Sequence, residues 1–100
     1  MKAVADAFAA IADGVAAGQP DAALRQRFQQ ALSACRQAAA SAPAELQPLL
    51  ANVQQALATW DEVWPRLGGQ EPFRNAVIRE ARTWAQRFAD NAAVTRRTPR

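Results

Sequence analysis

The segment from Leu46 to Leu67 constrains this chain most. Leu46, Leu50, Val53, Leu57, Trp60, Trp64 and Leu67 recur at alternating intervals of four and three residues. On a helix this spacing draws one continuous seam of large apolar side chains. A strand, with its period of two, would scatter them over both faces. Leu49, Ala56 and Val63 widen the seam, so this helix is predicted to be buried against more than one neighbour. Pro65 is expected to end it near Val63 or Trp64, leaving Leu67 to pack from a turn.

Such a helix needs partners, and the rest of the chain supplies three. Val4, Phe8, Ile11 and Val15 form one stripe on a first helix over about residues 4–17. Gly18 stands where a C-cap favours glycine. Pro20 suits the first turn of a second helix, and Asp21 complements its positive end. That helix carries Leu24, Phe28, Ala31, Cys35, Ala38 and Ala42, flanked by Leu32. Pro43 breaks the chain, with Ser41 as a cap for the next helical segment. A short turn over residues 43–47 is expected to run into the long helix, because Pro48 would disrupt a helix interior.

The loop at residues 65–72 holds Gly68-Gly69, with Glu71 near the next N-cap and Pro72 starting the fourth helix. There Phe73, Val77, Ala81, Trp84 and Phe88 share a stripe, with Ile78 and Ala85 beside it. Four stripes joined by short breaks predict an all-α fold, a small antiparallel four-helix bundle with up-down-up-down topology. Residues 1–93 are expected to form one helical domain. Residues 94–100 are expected to be a disordered basic tail, with fraying after Asn91. A bundle that dimerises through an open face is the main alternative.

Composition sharpens the picture. Of the 50 apolar residues, 26 are alanine. Alanine favours helix and close packing but buries little area, so the core is thin and a partner would add to it. The first two helices carry the thinner stripes. The net charge of +3 belongs to Arg96, Arg97 and Arg100, because residues 1–93 are formally neutral. A single cysteine, Cys35, rules out an internal disulfide and fits a reducing compartment. Asp6 and Asp13 interrupt what would be the apolar core of a signal peptide, and no stretch is apolar enough to span a membrane. A small bacterial, cytoplasmic protein without membrane contact is expected.

The chemistry available is limited. There is no histidine, which removes the commonest general base and metal ligand. One cysteine without histidine makes no zinc site. No phosphate-cradling glycine motif occurs. Ser33 and Ser41 have no evident base beside them. Asp61 and Glu62 are adjacent, so on a helix they splay by about 100°. Glu62 is expected to pair with Arg66, and Asp21 with Arg25. Neither an enzyme nor a cofactor or metal is expected.

The leading expectation is therefore a non-catalytic helical module for protein–protein interaction, adaptor-like, chaperone-like or regulatory, binding another protein or a second copy of itself. Trp60, Trp64 and Trp84 are the candidate aromatic anchors. Their positions on apolar stripes equally fit a core, with Trp64, beside Pro65, the exception to watch. Arg74, Arg96 and Arg97 are the candidate polar contacts, and Arg79, Arg82 and Arg87 add a basic side to the fourth helix. One alternative is a small nucleic-acid-associated regulator using the C-terminal arginines; Glu71, Glu80 and Asp90 on the same helix argue against it. Another is a bundle binding a small ligand among the three tryptophans.

Overall fold

A computed structural model describes the backbone of residues 1–97 and the side chains through Asp90. The side chains of Arg96 and Arg97 and the end of the tail expected at 94–100 lie outside the described residues. The fold is an all-α four-helix bundle: α1 Lys2–Ala16, α2 Asp21–Ala39, α3 Gln47–Leu67 and α4 Glu71–Arg97. A single 3-10 turn, Ala44–Leu46, leads into α3. Two helices side by side in each direction account for a 20 × 19 Å cross-section over a length of 48 Å. No helix among the described residues is long and apolar enough to cross a membrane.

The breaks obey local chemistry. Gly18 takes φ +71°, a left-handed value that only glycine adopts without strain. This lets Gly18 N–H donate to the Val15 carbonyl and Gln19 N–H to the Gly14 carbonyl, both at 3.1 Å. The pair closes α1 as a Schellman motif. Pro20 falls one place earlier than expected, at the N-cap of α2. The turn before α3 forms as anticipated, with Pro48 in the first turn of the helix, where its missing N–H costs nothing. Ser41 does not cap it, because Pro43 holds the N-cap position and no side chain bonds there. Gln47 ties this corner instead, donating to the Ala39 carbonyl at 2.7 Å and the Ala42 carbonyl at 3.1 Å.

One expected boundary fails. α3 runs through Pro65 to Leu67. Proline removes the N–H that would bond to the Asp61 carbonyl and disfavours helix at Trp64. Burial wins, because Trp64 is only 1% exposed and packs its ring on Phe28 and Phe73, which fixes the backbone on either side of the proline. Gly68 N–H then donates to the Trp64 carbonyl at 2.8 Å and closes the last turn.

The core takes Val4, Phe8, Ile11 and Val15 from α1, Leu24, Phe28, Ala31 and Cys35 from α2, Leu50, Val53, Leu57, Trp60 and Trp64 from α3, and Val77, Ala81 and Phe88 from α4. No polar or charged side chain is buried among the described residues. The seams between helices are unequal. The backbones of α1 and α4 approach most closely, and those of α3 and α4 stand farthest apart among sequential neighbours. Alanine on both sides of the α1–α4 seam permits the close approach, whereas Trp64 against Phe73 acts as a spacer between α3 and α4. The stripe of α1 thus closes through large residues, with Phe8 stacked on Phe88, and through the alanines beside them.

Candidate functional site

Of the three tryptophans, two are structural. Trp60 is 6% exposed and meets Phe8 edge-on, with ring centroids 6.5 Å apart. Trp64, marked as the exception, is the most buried of the three. Its ring meets Phe28 and Phe73, with centroids 5.4 and 5.6 Å away. Phe8, Phe28 and Phe73 thus occupy the space beside Trp60 and Trp64 where a small ligand would sit. Only Trp84 is half-buried, with Arg87 above its ring at 5.2 Å from the centroid.

Arg74 belongs to the same closed end of the bundle. Its guanidinium donates to the Gly68 carbonyl at 2.7 Å and the Val15 carbonyl at 3.0 Å. It also lies 5.5 Å from the Trp64 ring centroid. These carbonyls stand at the C-terminal ends of α3 and α1, where a cation is favoured. Trp64 Nε1 donates to Asp21 Oδ1 at 3.1 Å, at the start of α2. One Arg–Trp–Asp chain therefore joins all four helices. Arg74, a candidate polar contact, thus bonds within the fold to the ends of α1 and α3.

The expected ion pairs rearrange for the same reason. Asp21 accepts from Trp64 instead of pairing with Arg25. Arg25 reaches across to Asp61, Nε to Oδ1 at 2.9 Å, and Gln29 donates to the second Asp61 oxygen at 3.0 Å. The hydrogen bond to Asp61 raises the Arg25 pKa above its ordinary value. Glu62 and Arg66 do not pair. Inter-helix geometry gives Asp61 two donors, whereas Leu57 and Pro65, one turn away on its own helix, supply none. Cys35 is fully buried, and desolvation pushes its thiol up to about 11. Such a thiol is a small core hydrophobe and a poor nucleophile.

A groove of about 490 Å³ runs along α1 and α4. Ala9 of α1 and Ala85 and Ala89 of α4 form its accessible floor, above Ala5 and Ala12, which are buried in the core. Asp6 and Asp13 stand on the α1 rim, and Arg82 and Gln86 on the α4 rim. Asp6 holds Lys2 at 2.8 Å and Gln86 donates to Asp90 at 2.8 Å, each within its own helix. Among the described residues, neither Asp13 nor Arg82 forms a salt bridge. The groove was legible in part: Ala5, Ala9 and Ala12 repeat the four–three spacing one step beside the Val4–Phe8–Ile11 stripe. Alanine's double role, as helix former and as contact surface, hid it.

Comparison with protein-family models, with curated proteins and with solved structures found no match for this chain. The functional reading therefore rests on the geometry of the groove and of the closed end.

Proposed function

We propose that this protein is a non-catalytic helical module that binds another protein through the outer groove of α1 and α4. The observation that carries the reading is that groove: an apolar floor between rims of opposite charge, with no salt bridge at Asp13 or Arg82 among the described residues. A floor of small residues lets an incoming helix approach closely, and the rims orient it. Two of the arginines that suggested a nucleic-acid surface are already engaged, Arg74 with helix-end carbonyls and Arg87 with Trp84. This favours a protein partner over a phosphate backbone, which requires a sustained basic face.

Site-specific photo-crosslinking in the full chain tests the proposal. A photoreactive residue replacing the exposed Ala89 is expected to give a discrete protein adduct, and one replacing the exposed Gln55 on α3 to give none. Equal labelling from both positions, or no protein adduct from either, would count against the groove.

A further inference from the structure

We infer that the occupant of the α1–α4 groove is a second copy of this chain, docked face to face across a two-fold axis that runs along the groove. The inference rests on the protein-binding reading and names its partner. It starts from how the charges are divided. The acidic side chains of the groove, Asp6 and Asp13, belong to α1, and its one basic side chain, Arg82, belongs to α4. Each rim is therefore complementary to the other.

A closed homodimer brings the same surface of both copies together, so only certain rotations satisfy the charges. The two helices run antiparallel, since Val15 lies against Arg74 near the start of α4 and Phe8 stacks on Phe88 farther along it. A two-fold axis lying in the plane of the groove and across the helices sets α1 on α1 and acid on acid. An axis in that plane but along the helices sets α1 of each copy on α4 of the other. Asp6 and Asp13 then face the rim bearing Arg82, and the favourable contact occurs twice. A groove with like charges on both rims would exclude self-docking, and this one invites it.

The make-up of α1 points the same way. Among its fifteen residues only Lys2, Asp6 and Asp13 are charged, and the remainder are Ala, Val, Phe, Ile and Gly. A helix on the outside of a bundle ordinarily carries a polar face, and one that is apolar around most of its circumference is ordinarily buried. In the two-fold dimer α1 becomes an inner helix, flanked by α2 and α4 of its own chain and by α4 of the other.

Charge reversal with mixing tests this. Asp6, Asp13 and Arg82 are all exposed, so reversing them leaves the core untouched. The wild-type chain is expected to show a concentration-dependent mass of twice 10.8 kDa by sedimentation. The Asp6→Lys/Asp13→Lys variant alone and the Arg82→Asp variant alone are each expected to dimerise at least about tenfold more weakly. An equimolar mixture should restore dimerisation, because both rims are then complementary again. Ala89→Phe, which fills the exposed end of the floor, should weaken dimerisation without any change of charge. A wild-type chain that is monomeric at every concentration would overturn the inference, as would variants that dimerise like the wild type or a mixture that stays monomeric. If the chain is monomeric while a crosslink from position 89 reaches a different polypeptide, the second copy is ruled out and the protein-binding reading stands. If position 89 yields no protein adduct at all, both fall.

Discussion

Arg74 shows how far one side chain can be from its apparent role. Its charge and its place on α4 suggest a contact for partners, yet its guanidinium joins the ends of α1 and α3 and covers Trp64. Arg74→Ala is expected to cost about 2 kcal/mol, the scale for stranding the partners of a charged donor. Urea unfolding measures this directly. Arg74→Lys should recover only part of the loss, because an ammonium cannot reproduce the fork that spans two carbonyls. Gly68 is tied to the same ring: an added Cβ would lie 2.6 Å from Trp64 Cε2 and 2.7 Å from the Trp64 carbonyl oxygen. Gly68→Ala should therefore destabilise by about 1–3 kcal/mol, as overpacking does. An unchanged urea midpoint for that variant would mean the Trp64 ring has room to move. Cys35 gives a pH prediction. Its folded pKa, about 11, lies above the ordinary 9.0. Its contribution to stability is therefore complete below about pH 9 and is lost as pH rises towards 11, because the unfolded thiol ionises first. A thiol reagent at about pH 7.5 should label it only on unfolding; rapid labelling of the native protein would contradict its burial.

At the scale of the element, sequence and structure agree where the local pattern is dense and diverge where tertiary packing overrules it. The four stripes were readable because large residues at 4–3 spacing admit one periodicity. The Gly18 cap and the turn ahead of Pro48 were readable because glycine and proline act through their own backbones. Pro65 was misread for the converse reason. Its local preference is to end the helix, and what holds the helix is the burial of Trp64 among residues far away in sequence. Local strain there is thus offset by packing. Pro65→Ala is expected to restore the missing backbone hydrogen bond and raise stability by about 1 kcal/mol or more. A lowered melting temperature would show that the rigid ring, not the packing of Trp64, sets this end of α3. The ion pairs obey the same rule. Asp21 had a plausible partner one turn away in Arg25, yet it bonds across a helix interface, as Asp61 does, and no single-helix pattern reveals either contact. Gln47, which ties the α2–α3 corner through two carbonyls, gave no signal because glutamine has no strong positional preference.

The whole molecule is closed at one end and open along one side. At the closed end the Arg74–Trp64–Asp21 chain binds four helix termini and draws one tryptophan and one of the candidate arginines into the fold, while Trp60 packs on Phe8 and Phe28. Along the open side α1 and α4 pack through alanine, and the same small residues that bring their backbones together leave a groove outside. A thin, alanine-rich core foreshadowed the need for a partner. The groove proposed for that partner was not foreshadowed, because the candidate anchors were sought among the tryptophans, of which the core holds Trp60 and Trp64. In the proposed two-fold dimer the accessible alanines of the α1–α4 groove are covered, so dimerisation and stability are linked by mass action. The most direct test of this account is the solution mass of the untagged chain by light scattering across a wide range of concentration. The account predicts a rise from 10.8 kDa towards twice that value as concentration increases, with the melting temperature rising in step. A mass of 10.8 kDa throughout, with a melting temperature independent of concentration, would contradict it.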